Sequence, residues 1–323
     1  MKKLIILLFL LSTTVLAQLS YSGEISLSET TTAISMNKNI NTSSSFGLAA
    51  HLEADYSTSP IDFRLVLDPS LLLQNSSSKV IFETGLSEAY GLWRTDDFDF
   101  SFGLEKLNLS YSRLSLPFTI EPVGKNFQSK GLLGARLVYY SDDWRFRPAI
   151  TYNYESKDFG GVISVRKDFD DFELEANLVY LKDFSIGLGG SGSIADFIVY
   201  GEGWLMDNLK EARASLGIST YYNAALLTLE ASYSQNPLFN SPKAFSQILG
   251  QINLPIEANS LDINAGLGWQ ESALNPSNKV IAALLNTGYS KNEDDYKISI
   301  NAGLAHTEFA TAYNLKLSLS NFY

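Results

Sequence analysis

Alternation of apolar and polar residues with a period of two, held for about ten residues at a stretch, constrains this sequence more than any other feature. Phe46, Leu48, Ala50, Leu52, Ala54 and Tyr56 alternate with Gly47, Ala49, His51, Glu53 and Asp55. Phe98, Phe100, Phe102 and Leu104 alternate with Asp99, Ser101, Gly103 and Glu105, and Phe172, Leu174, Ala176, Leu178 and Tyr180 with Glu173, Glu175, Asn177 and Val179. Leu261, Ile263, Ala265, Leu267 and Trp269 do the same against Asp262, Asn264, Gly266 and Gly268. Successive side chains of a strand point to opposite faces, so each segment reads as a strand with one apolar and one wet face. Helical periods are almost absent.

Two all-β architectures accept such strands. A soluble sandwich joins its apolar faces in a core, whereas a membrane barrel turns them to lipid and lines a lumen with the polar ones. Sandwich strands usually run ~5–6 residues, while a tilted strand needs about ten to cross a bilayer. The segments here have the longer reach, and their polar faces, rich in Gly, Ser, Asn and Glu, are too wet for a sandwich interior. Aromatic residues gather at segment ends, at Tyr56, Trp93, Trp144, Tyr154, Tyr180, Trp204, Tyr222, Tyr233, Trp269, Tyr289 and Tyr296. Rings of this kind are most stable at the headgroup level, which predicts interfacial girdles. The expected fold is all-β, a transmembrane antiparallel up-and-down β-barrel.

Strands are expected at 19–28, 44–57, 60–68, 79–93, 97–112, 132–141, 144–155, 159–168, 170–181, 184–191, 194–205, 210–221, 224–235, 244–256, 259–271, 278–290, 295–306 and 310–322. That is about 18 strands, with 16 as the alternative; both are even, as single-chain bacterial barrels require. Short polar turns such as Thr95-Asp96, Asp142-Asp143 and Glu293-Asp294 fall at one end, read as periplasmic. The longer loops 29–43, 69–78, 113–131 and 236–243 fall at the other, read as external.

The N-terminus reads as an export leader. Met1-Lys2-Lys3 is basic, Leu4 to Leu11 is apolar, and Val15-Leu16-Ala17 offers the small residues that signal peptidase accepts. Residues 1–17 are expected to be a signal peptide and 18–323 the barrel. The apolar run is well short of the ~20 residues that a helical span requires. With 24 Lys+Arg against 35 Asp+Glu the net charge is −11, and an acidic exported chain is not expected to bind nucleic acid.

Taken together, the leader, the alternating strands, the short turns set against longer loops and the aromatic C-terminus resemble a bacterial outer-membrane β-barrel of porin-like type. The last strand carries the most specific match. Tyr313, Leu315, Leu317, Leu319 and terminal Tyr323 share one face and resemble the C-terminal signal that barrel assembly machinery recognises, although Asn321 departs from the ideal pattern. The resemblance implies an outer-membrane location, a coat of outer-membrane lipid and small solutes as cargo, and it leaves a homotrimer open. Being architectural, it says little about which solute.

Little in the composition supports catalysis. No Cys excludes thiolate chemistry and disulfides, and two His cannot build a three-histidine zinc site. His51 shares a face with Glu53 and Asp55, which would orient it, and His306 stands at a strand end beside Thr307 and Glu308. Both read as lining or rim residues rather than members of a triad. Asp pairs such as Asp96-Asp97 and Asp142-Asp143 read as turn formers, and no metal site or cofactor is expected. Gly187, Gly189, Gly190 and Gly192 precede no helix, so they read as relief of crowding in a curved wall rather than as a phosphate cradle.

Transport has better support. The segment from Tyr111 to Arg136 is too long for a turn, and its 113–131 part is third among the external loops, with Arg113, Glu121, Lys125 and Lys130. In general porins a long third loop folds inward and narrows the pore, and this segment resembles that element; the alternative is a loop on the rim. Arg136, Arg145, Arg147 and Arg166, on three neighbouring strands, are expected to face inward as a basic ladder. Glu53, Asp62, Glu83 and Glu105 on earlier strands are expected to face it across the pore. A transverse field in a confined lumen orients and selects charged and dipolar solutes. If instead these arginines pair with local carboxylates, they serve to keep the wall solvated. The function expected is a channel for passive diffusion of small polar or anionic solutes. The alternative is a structural or interaction barrel working through its external loops, and an enzyme is the weaker third.

Overall fold

A computed structural model describes residues 19–36, 39–74, 79–114, 130–154, 157–235, 245–256, 259–271, 279–292, 296–307 and 311–322. Residues 1–18, which hold the expected leader, and Tyr323 lie outside them. Twenty strand segments form a single antiparallel sheet. The first seven are β1 (Leu19–Met36), β2 (Asn39–Thr58), β3 (Ile61–Leu67), β4 (Ser70–Gln74), β5 (Lys79–Glu83), β6 (Leu86–Arg94) and β7 (Phe98–Glu105). Then come β8 (Leu132–Ser141), β9 (Trp144–Asn153), β10 (Asp158–Asp168), β11 (Phe172–Tyr180), β12 (Phe184–Ile194), β13 (Phe197–Met206) and β14 (Glu211–Tyr222). The last six are β15 (Ala225–Ser234), β16 (Phe245–Ile256), β17 (Asn259–Glu271), β18 (Lys279–Asn292), β19 (Tyr296–Thr307) and β20 (Thr311–Phe322).

β3 and β4 both pair with β2, and β6 and β5 pair with β3 and β4 in turn, so each couple is one barrel strand interrupted once. The barrel therefore has 18 strands, closed where β1 pairs with β20 from Glu24↔Phe322 to Ser35↔Thr311. Closure leaves no sheet edge and lets every wall amide find a partner, the condition for strands to stand in lipid. The interruption has a local cause. Pro69 has no N–H to give the ladder, and beside it Gly85 sits at φ +66 with the Asp68 carbonyl where a Cβ would go.

Ile150, Leu188, Leu216, Leu229 and their equivalents on the other strands are exposed, while the alternate positions are buried or polar. Aromatic pairs collect at the short-turn end: Trp93 against Phe98 at 6.0 Å, Trp144 against Phe146 at 6.2 Å and Phe169 stacked on Phe172 at 4.3 Å. An exterior of this kind on a closed single-chain barrel is an outer-membrane architecture. Leu216 is central in β14 and 64% exposed. Leu216→Arg is expected to cost about 2–4 kcal/mol, the price of a cation near the bilayer midplane. Urea unfolding of the barrel from phospholipid vesicles measures this, and an unchanged midpoint would mean that the face does not meet lipid.

Several connections differ from expectation. The loop expected at 29–43 is largely strand, because β1 and β2 stay paired from Leu19↔Tyr56 up to Met36↔Asn39. Its Thr- and Ser-rich sequence continues the ladder with polar side chains on both faces. Likewise, Ser70–Gln74 of the expected loop 69–78 is strand. β12 runs on to Ile194, past the expected end at 191, with the turn at Ala195-Asp196. Ala195, like Asp142 and Asn223, opens a tight hairpin at positive φ, 52°, 49° and 53° respectively. The strand expected at 97–112 ends at Glu105, for the reason given next.

Candidate functional site

After Glu105 the chain leaves the wall and crosses the barrel interior. Leu107 and Leu109 keep the period of two, yet they face neither lipid nor a neighbouring strand. They cap an inward-facing apolar patch of Leu132, Ala149, Val162, Val179, Trp204 and Met206. Asn108, between them, takes a left-handed φ of 46°, which breaks the strand and lets both leucines be buried. Trp204, expected in an interfacial girdle, belongs to this interior patch; its neighbour Leu205 is the one exposed to lipid. The indole lies over Gly187, where a Cβ would stand 2.5 Å from the ring.

Beyond the patch, residues 110–114 are held by three inward carboxylates. Glu202 accepts from the Ser110 hydroxyl at 2.6 Å, the Tyr111 amide at 2.9 Å and the Ser112 hydroxyl at 2.5 Å. Glu175 accepts from the Tyr111 hydroxyl at 3.4 Å. Burial first, and then the Glu175 charge, pushes that hydroxyl up to about 12, so it remains a donor across the physiological range. Glu230, 1% exposed, accepts from the amides of Arg113 and Leu114 at 2.8 and 3.0 Å and from the Tyr200 hydroxyl at 3.0 Å. The Arg113 guanidinium stacks 4.5 Å over the Tyr200 ring and donates to Ser219 at 3.3 Å. Charge-assisted bonds to buried carboxylates are among the stronger polar contacts available to a loop. Of the other loop residues singled out from sequence, Lys130 is half-buried where the chain returns to β8, and Glu121 and Lys125 lie outside the described residues.

The four arginines do share the inner face, each beside a carboxylate no more than two strands away. Arg147 pairs with Glu175 at 2.5 Å and donates to Ser164 at 2.9 Å. Arg145 and Arg166 share Asp168 at 2.5 and 2.8 Å, Arg166 also meets Glu173, and Arg136 meets Glu105. Glu105 is therefore a wall partner of Arg136, not a charge across the pore. Glu53 binds Arg64 at 3.0 Å, Asp62 binds Arg94 at 2.7 Å, and Glu83 stands opposite Ser70 in the β4–β5 ladder.

His51 bridges Asp68 at 2.5 Å and Glu53 at 2.8 Å. Asp55, expected to orient it, is drawn instead to Arg64 at 3.3 Å. Ser87 donates to Asp68 rather than to the imidazole, so the cluster lacks the hydroxyl-to-imidazole contact a serine nucleophile needs. His306 lies opposite Thr311 in the β19–β20 ladder.

No family model matches this sequence, and no curated protein does. Solved structures match closely in shape. The chain is similar to Pseudomonas aeruginosa OpdQ, with TM-score 0.65 and 10% identity over 94% of this chain and 99% of that one. It is similar also to P. aeruginosa OccK2 (OpdF), at TM-score 0.63, 10% identity and 94% and 98% coverage. Acinetobacter baumannii OccAB3 matches at TM-score 0.60 and 11% identity, over 94% of this chain and 99% of that one. The fold is that of a porin-like outer-membrane β-barrel.

Within this porin-like barrel, sequence reading missed the three carboxylates that hold the interior segment. A signal was present. Glu175, Glu202 and Glu230 are each flanked by Leu, Ala or Gly at the inward phase of its strand, Glu202 and Glu230 as the one acid there, and the register sets Glu175 and Glu202 on either side of Gly189. Gly189 leaves room for the Tyr111 ring, which would stand 2.8 Å from a Cβ there.

Proposed function

We propose that the protein, exported with removal of residues 1–17, is a passive channel for small polar solutes, anions included, narrowed by the chain between Glu105 and Leu132. What supports this reading is the anchoring of residues 110–114 to inward side chains of β11, β13 and β15. The cargo reading rests on the arginine wall. Each of Arg136, Arg145, Arg147 and Arg166 has a carboxylate beside it, so the wall offers both signs of charge at short range. Such a wall suits dipolar and zwitterionic solutes as well as anions. Insertion by barrel assembly machinery through Tyr313, Leu315, Leu317, Leu319 and Tyr323, and association as a homotrimer, belong to the same proposal. Catalysis is no part of it.

Single-channel recording in planar bilayers tests the proposal. The intact protein is expected to conduct, and deletion of residues 119–128 to raise its conductance. Conductance unchanged by the deletion would put that stretch outside the pore. A protein silent over a wide voltage range would favour the structural or interaction barrel.

A further inference from the structure

Among the described residues, the outward faces of β8 to β15 carry one charged side chain, Lys167. It lies opposite Trp144 on β9 and Leu174 on β11, one residue from the end of β10. Its ammonium stands 4.9 Å from the centroids of both the Trp144 and the Phe169 rings. Phe169 in turn stacks on Phe172. The inward cations nearby are already satisfied, since Arg145 and Arg166 share Asp168. Lys167 is thus a lone outward cation at the aromatic level of the short-turn end, where a lysine stem lies on apolar surface and its head reaches the lipid headgroups.

Two further features adjoin it. The flanking turns carry Asp142-Asp143 and Asp170-Asp171, so the strand end that bears the cation lies between two acidic turns. Above it the exterior is grooved. One groove of about 520 Å³ starts at Phe172 and Leu174 and is floored by Gly190, Gly192 and Gly201, and another of about 550 Å³ is lined by Pro148, Ile150 and Ile163. Both fall in the size range of small-molecule sites. A cation between acidic turns, below two apolar grooves, matches a molecule with a phosphodiester, a neighbouring ammonium and long acyl chains.

We infer that Lys167, Trp144 and Phe169 form a binding site for one amine-bearing, zwitterionic glycerophospholipid of the inner leaflet. The phosphodiester accepts from the Lys167 ammonium, the headgroup amine faces the aspartate turns, and an acyl chain lies over Gly190 and Gly192. Anionic phospholipid meets the same lysine but is repelled by the aspartates, which sets the preference. The site depends on the exterior of the barrel and not on whether the lumen conducts.

Native mass spectrometry of delipidated barrel titrated with phosphatidylethanolamine, phosphatidylglycerol or inorganic phosphate tests it. Wild type is expected to retain phosphatidylethanolamine in preference to phosphatidylglycerol. K167Q should lower that retention about fivefold, as for loss of one surface lysine contact. K167R should keep it, and K210Q, in a turn at the opposite end, should leave it unchanged. Heat-dependent electrophoretic mobility checks that each variant is folded; if K167Q is not, W144L takes its place with the same expected loss. Equal retention by wild type and K167Q, a preference for phosphatidylglycerol, or displacement of the lipid by inorganic phosphate would each overturn the site.

Discussion

Glu230→Ala is expected to free the interior segment, exposing it to protease and raising single-channel conductance. The carboxylate is buried and takes the amides of Arg113 and Leu114 and the hydroxyl of Tyr200. Alanine leaves three donors without that acceptor, and each buried group so stranded costs about 1–3 kcal/mol. Residues 110–112 keep their bonds to Glu202, so release should start at Arg113 and spread toward Leu114. Trypsin added to the folded barrel should then cut after Arg113, a bond protected in the wild type. Glu230→Gln, which keeps an acceptor oxygen but loses the charge, should fall between the two. Resistance to trypsin with unaltered conductance in Glu230→Ala would mean that the apolar patch around Leu107 and Leu109 alone holds the segment.

Reversing Arg147 and Arg166 to glutamate should produce the other large change, a shift of ion selectivity toward cations. Two reversals change the interior charge by about four elementary charges, and the new side chains would stand beside Glu175, Glu173 and Asp168 with Arg145, on Asp168, the one cation left among these pairs. Reversal potentials in a salt gradient measure the shift. It should be largest in dilute salt and fade as the screening length falls from about 30 Å at 0.01 M to about 3 Å at 1 M. A selectivity that ignores both substitutions would leave these arginines the role of solvating the wall, with the pore's preference set elsewhere.

The interior arginines show how far a strand pattern reaches. Arg136, Arg145, Arg147 and Arg166 were legible as inward because Leu137, Phe146, Pro148 and Ile163 mark the opposite phase of the same strands. Their partners were not. Asp168 and Glu173 come together across the β10–β11 turn, and Glu175 meets Arg147 two strands away, a distance that depends on register. A one-residue slip of register would carry every one of these side chains to the other face. For the same reason Glu105 was expected across the pore and is found beside Arg136 on the adjacent strand.

Trp204 and Leu107 mark the boundary from the other side. Both sit in segments that alternate, and alternation assigns a side chain to one of two faces without saying what covers that face. The wall decides most of it locally. Period two, strand length, turn residues and the outward apolar set determined an antiparallel barrel of about 18 strands with lipid outside, because each of those signals is carried by neighbours in the chain. Only the tertiary structure decided that the chain after Glu105 turns inward, that Leu107 and Leu109 bury against Val162, Val179 and Trp204, and that Glu175, Glu202 and Glu230 receive residues 110–114. The hydrogen bonds among these contacts join residues 64 to 117 positions apart, brought within reach by closure of the sheet.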